Sequence, residues 1–63
     1  MKAINVERDD DDTYTVFYFG REIGWIDRMQ RRDKPFRACT RNGHLQYFWS
    51  LSTAKEFIVS EMA

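Results

Sequence analysis

The residues of this chain that first suggest chemistry are its single cysteine, its single histidine and the acidic run Asp9-Asp10-Asp11-Asp12. Cys39 and His44 flank Asn42-Gly43, a pair that favours a tight hairpin. Across such a hairpin the two are diagonal neighbours, about 7–8 Å apart at the backbone. An imidazole activates a thiol only in closer contact and inside a pocket, and Asn42 alone is placed to orient the ring. The acidic run does not form an EF-hand loop. Counted from Asp9, the positions that need glycine and glutamate hold Tyr14 and Gly20. One Cys and one His exclude a Cys/His zinc site within one chain. Gly20, Gly24 and Gly43 are isolated and build no phosphate loop. Glu22 and Asp27 sit at strand ends of opposite parity and make no acid–base pair. The expectation is a binding protein, not an enzyme, with no metal and no cofactor.

What remains is charge. The formal net charge is zero, yet six of the ten basic residues fall in RMQRRDKPFRACTR, residues 28–41. That stretch holds Arg28, Arg31, Arg32, Lys34, Arg37 and Arg41 against Asp33, 6 − 1 = +5. Residues 1–12 hold Lys2 and Arg8 against Glu7 and Asp9 to Asp12, 2 − 5 = −3. Cations that neutralise phosphate, beside amides and aromatic rings that read or stack bases, are what a nucleic-acid surface requires. The candidate contact set is Arg28, Arg31, Arg32, Lys34, Arg37, Arg41, His44, Gln46 and Phe48. The first four lie in a loop and the rest project from one face of a hairpin. The competing reading is a solvated sheet face whose arginines discourage edge pairing and cover ring surface.

The elements that must position these residues follow from period and punctuation. KAINVE (2–7) reads as a short strand with Ile4 and Val6 on one side. Residues 9–12 read as a solvated loop, because adjacent like charges repel and Asp favours turns. YTVFYF (14–19) and EIGWIDRM (22–29) have strand composition and are joined by a tight turn around Gly20. That turn pairs Tyr14, Val16 and Tyr18 with Ile23 and Trp25 on one face. Thr15, Phe17, Phe19, Gly24 and Ile26 form the other, with Gly24 leaving room for Phe17 or another ring to cross the strand. Asn42-Gly43 as a two-residue turn places Phe36, Ala38, Thr40, Leu45, Tyr47 and Trp49 on a core face. Arg37, Cys39, Arg41, His44, Gln46 and Phe48 are then wet, and a slip of one residue would exchange the sets. Ser52 or Thr53 caps a helix over 53–62, with capping-box spacing from Thr53 to Glu56 and a stripe of Ala54, Phe57, Ile58 and Met62. At about ten residues this helix needs the sheet to stabilise it. The fold class is α+β: one domain over 1–63, an antiparallel meander sheet of three to five strands and a C-terminal helix packed on one face.

The run FRACTRNGHLQYFWSLSTAKEFI, a strand, a Gly-containing turn, a strand ending in aromatics and a capped helix, resembles the arm-type DNA-binding domain of phage and transposon tyrosine integrases. The plant ethylene-response DNA-binding domain has a related plan. The resemblance spans roughly residues 14–62. It implies a three-stranded sheet with one face in the major groove and the other on the helix, and it implies an accessory or regulatory factor of phage or bacterial type. The first hairpin carries few basic residues, and the acidic run has no counterpart in that pattern. No recombinase catalytic domain lies within these residues.

With sixty-three residues the core is thin, and burial relies on ten aromatic rings of about 150–250 Å² each. One helix cannot cover both apolar faces of the first hairpin. Composition does not say which of those faces is the core, so Phe17, Phe19 and Ile26, or their opposites on the face of Trp25, are the alternative candidates, an exposed aromatic interface for a protein partner or a second copy. No stretch approaches the roughly 18 apolar residues of a membrane span, and MKAINVERDD lacks an apolar signal region. With a lone unpaired cysteine, a cytoplasmic setting is expected.

Overall fold

A computed structural model describes residues 3–62. The chain forms β1 (Ile4–Arg8), β2 (Thr13–Tyr18), β3 (Arg21–Arg28), β4 (Phe36–Thr40), β5 (Leu45–Phe48) and α1 (Leu51–Met62). The five strands make one antiparallel sheet in the order β1-β2-β3-β4-β5, each paired with its neighbour in sequence. This is the α+β meander expected, at the upper end of the strand count.

Helix α1 covers one face of the sheet over β3, β4 and β5. The core lies between them and consists of Val16, Ile23, Ile26, Ala38, Ala54 and Ile58. Ile4, Val6, Tyr14, Phe36, Phe48, Leu51, Phe57 and Val59 pack around its margin. The Phe48 and Phe57 rings meet at 5.3 Å between centroids. Small residues set the helix-to-sheet distance. Ala38 and Ala54 are fully buried, and a Cβ at Gly24 would lie 2.8 Å from Cγ2 of Ile58. Gly24 therefore makes room for the helix, not for a ring crossing the strand.

Two register details differ from expectation, and each follows from turn chemistry. The first hairpin closes through Phe19-Gly20, both at positive φ (48° and 81°), the mark of a type I′ turn. Tyr18 pairs with Arg21 and Phe17 with Glu22, as the tight turn requires. A bulge then sets Val16 opposite Gly24, which leaves Ile23 as the extra residue of β3. Beyond it Tyr14 and Val16 share the helix side with Ile26, while Trp25 pairs with Thr15 on the opposite side. Ile26 is thus fully buried in the core and cannot belong to an exposed interface.

The second hairpin turns through three residues, not two. Thr40 N–H donates to the His44 carbonyl at 2.9 Å, and Gly43, at φ 92°, donates to the Thr40 carbonyl at 3.0 Å. A glycine in the left-handed region after a tight turn is the usual three-residue hairpin loop. Cys39 then pairs with Leu45, Ala38 with Gln46, Arg37 with Tyr47 and Phe36 with Phe48. The exchange of β5 side chains anticipated for a one-residue slip is the arrangement found.

The helix starts two residues earlier than its expected range. Its cap is Ser50 and not Ser52 or Thr53: Thr53 N–H donates to Ser50 Oγ at 3.2 Å, and Thr53 Oγ1 donates to the Ser50 carbonyl at 3.1 Å. Ser50→Ala is expected to cost about 0.5–2 kcal/mol. Urea unfolding followed by circular dichroism measures this, and an unchanged midpoint would remove Ser50 from the cap.

Candidate functional site

The sheet face away from α1 has no element packed on it among the described residues. Register assigns it Asn5 and Glu7 from β1, Thr15 and Phe17 from β2, and Glu22, Trp25 and Asp27 from β3. Arg37 and Cys39 from β4 and Leu45 and Tyr47 from β5 complete it. Its carboxylates lie on β1–β3, its one strand cation among the described residues, Arg37, lies on β4, and Arg31 reaches over Tyr47 of β5 from the loop after β3. Trp25 is 38% exposed at the centre, and its indole N–H donates to Glu22 Oε2 at 3.1 Å. With that donor engaged, what the indole leaves exposed on the face is apolar ring surface.

The candidate cations divide into committed and uncommitted groups. Arg37 donates through Nη2 to Asp27 Oδ2 at 2.5 Å, and that hydrogen bond holds the guanidinium above its ordinary pKa. Arg41, in the turn, donates to the Glu22 carbonyl at 3.2 Å. Arg28, Arg31, Arg32 and Lys34 have no carboxylate within ion-pair distance among the described residues. They belong to the end of β3 and the loop after it, where the net charge over 28–35 is 4 − 1 = +3.

Backbone bonds brace this loop. Met29 N–H donates to the Pro35 carbonyl at 2.6 Å, Arg31 N–H to the Met29 carbonyl at 3.0 Å and Arg28 N–H to the Asp12 carbonyl at 2.7 Å. Arg31 Nε also donates to the Asp33 carbonyl at 2.7 Å, and Lys34 takes a left-handed conformation (φ 46°) just before Pro35. Arg28, Met29, Gln30, Arg31, Arg32 and Pro35, with Asp12, line an open cleft of about 490 Å³. Arg31 links this cleft to the open face, because its guanidinium lies 4.2 Å from the centroid of the Tyr47 ring. A cation–π contact of this kind contributes about 0.5–1 kcal/mol where exposed.

The remaining candidates lie elsewhere. The three-residue turn puts Gln46 and Phe48 on the helix side, where Phe48 packs on Phe57. His44 Nδ1 meets the Glu61 carboxylate at the end of α1. None of the three stands on the face with Arg37, and Cys39 is separated from His44 by the sheet. Of the alternative set, Phe17 is half-buried on the open face, and Phe19 is exposed at the hairpin tip, edge-on to Tyr18 at 4.7 Å. Sequence reasoning missed Leu45, Tyr47 and Trp49 as surface residues and left the side taken by Trp25 open. Trp49 is 62% exposed and follows β5 at the end of the sheet that carries the basic loop. For the β5 residues and Trp49 the missing signal was the length of one turn, and for Trp25 it was the bulge at Ile23.

The acidic run caps the β1–β2 connection beside that loop. Asp10 accepts from the Asp12 N–H at 2.8 Å, which lowers its pKa below 3.8, and Asp11 pairs with Arg8 at 2.8 Å. Asp9 accepts from the Thr15 hydroxyl at 2.6 Å. Among the described residues no group of three or more His, Cys, Asp or Glu is arranged to hold a metal ion. No helix among them is long and apolar enough to cross a membrane. No protein-family model, no curated protein and no solved structure matches the chain.

Proposed function

We propose that the chain is a small non-enzymatic binding protein, an accessory or regulatory factor of phage or bacterial type, that contacts nucleic acid through the basic end of its open sheet face. The observation that carries this is the gathering of Arg28, Arg31 and Arg32 around one cleft, with Lys34 in the same loop, all four unpaired with carboxylates among the described residues, and the contact of Arg31 with Tyr47 that joins the cleft to the open face. Cations already paired within a protein have little left for phosphate, whereas these four do. A cytoplasmic setting belongs to the same reading, since Cys39 is free.

The test is an NMR titration of ¹⁵N-labelled protein at low salt, with random-sequence nucleic acid in single-stranded and duplex form. Shifts at residues 28–37 and at Tyr47, reversed by added salt, are expected. No shift with either form would sink the proposal. A second reading has its own support: Phe17, Trp25, Cys39 and Leu45 make the centre of the open face apolar, as a protein partner or second copy would require.

A further inference from the structure

The nucleic-acid reading leaves open which form of nucleic acid fits, and the dimensions of the sheet bear on this. Five strands are separated by four spacings of about 4.8 Å, so the open face is roughly 19 Å across. The major groove of duplex DNA is about 12 Å wide. A three-stranded sheet, about 10 Å across, can lie in that groove. This one is held out by β1 and β2, which continue the same surface past β3.

The side chains on the face point the same way. Reading base edges in a groove takes amides or free guanidinium groups. Gln46 is on the helix side, and Arg37 is engaged by Asp27. The face offers instead Trp25, Tyr47 and Phe17, and rings recognise unstacked bases in a sequence-tolerant way. The guanidinium of Arg31, over the Tyr47 ring at 4.2 Å from its centroid, extends this set, because bases stack on arginine planes as well as on rings. Charge then orients the ligand. Glu7 and Glu22 repel phosphate from the β1–β3 side, Asp27 being neutralised by Arg37, and the 28–32 cleft attracts it at one end.

We propose, resting on the nucleic-acid reading above, that the ligand is a single strand whose phosphates follow the Arg28–Arg32 cleft and whose bases lie on the Arg31–Tyr47 stack and on Trp25. Trp49, exposed at the same end of the sheet, is positioned to receive a further base.

The experiment compares an oligothymidylate of about ten nucleotides with a mixed-sequence duplex of the same length at low salt. Affinity is read by fluorescence anisotropy of labelled oligonucleotide, and the Trp25 indole N–H by NMR. The single strand is expected to bind at least about tenfold tighter than the duplex and to move the Trp25 signal. Trp25→Ala should weaken single-strand binding by about 5- to 150-fold, the range for losing one stacked base, and Trp25→Phe should restore most of it. Should Trp25→Ala unfold, the Trp25→Phe variant and the wild-type Trp25 signal still decide the matter. Duplex binding as tight as single-strand binding, with shifts confined to residues 28–35, would overturn this inference and leave the nucleic-acid function standing. Binding of neither form would overturn both. A Trp25 signal that moves on dilution of the protein alone, and not with oligonucleotide, would assign the face to a second copy and overturn the single-strand proposal.

Discussion

Gly24→Ala is expected to lower the melting temperature by about 10–25 °C, the largest effect of any single substitution considered for this chain. A Cβ at this position would lie 2.6 Å from the carbonyl oxygen of Cys39 and 2.8 Å from Cγ2 of Ile58. The first contact is with backbone of the paired strand, so it cannot be relieved by a rotamer change. Overpacking a core costs about 1–3 kcal/mol, and more where backbone must move. A domain of this length has roughly 3–9 kcal/mol in total at about 0.05–0.15 kcal/mol per residue. At about 3 kcal/mol, the upper end expected where backbone must move, the substitution removes a third or more of what holds the fold. Differential scanning calorimetry measures it directly. Adding Ile58→Val to Gly24→Ala should not restore the melting temperature, because the Cys39 carbonyl stays where it is. A melting temperature within a few degrees of wild type would show that α1 does not pack on β3 as described.

Neutralising the basic loop should have the largest effect on binding. Each phosphate released from its counterions contributes a log–log salt slope of about −0.7 on a single strand. If Arg28, Arg31, Arg32 and Lys34 each meet one phosphate, the slope is about 4 × −0.7 = −2.8, or roughly a fifty-fold loss of affinity between 50 and 200 mM salt. In the triple variant Arg28→Gln, Arg32→Gln, Lys34→Gln, only Arg31 remains, and the loss over the same range should shrink to about 2.6-fold. Arg31 is kept because its contact with Tyr47 is part of the face. The three replaced side chains are exposed, so thermal stability should hold. An unchanged salt slope in the triple variant would place the phosphate contacts elsewhere and leave the loop as a solvated surface.

The composition of TYTVFY, the Gly20 turn and the apolar stripe of the last twelve residues were enough to read the meander and its helix from the sequence. The existence of elements depends on local features of this kind, and these are strong here. The identity of faces depends on counts of single residues, and there the sequence was ambiguous. Asn42-Gly43 is compatible with a two-residue loop and with a three-residue loop ending in a left-handed glycine, and the difference moved Gln46 and Phe48 to the helix side. The bulge at Ile23 had the same effect on the first hairpin: it brought Ile26 inside and turned Trp25 out. Apolar residues on both sides of β2 and β3 gave no pattern to arbitrate. Of the candidate contact residues, the loop cations needed no register to be found, because a loop has no faces. Those on strands did.

The Arg41-Asn42-Gly43 turn also bears on how such a chain can vary. Surface turns are ordinarily the places where a lineage gains and loses codons at little cost. Here the turn acts as a parity element, since an odd change in its length would rotate all of β5 by half a period and trade Phe48 and Gln46 for Leu45 and Tyr47 against the helix. Substitutions at Arg41 or Asn42 leave that count untouched, whereas a one-codon deletion within the turn would rewrite both sides of the sheet at once. Descendants of this sequence are thus free to drift at Arg41 and Asn42 and held to Gly43, at φ 92°, and to the length of the turn.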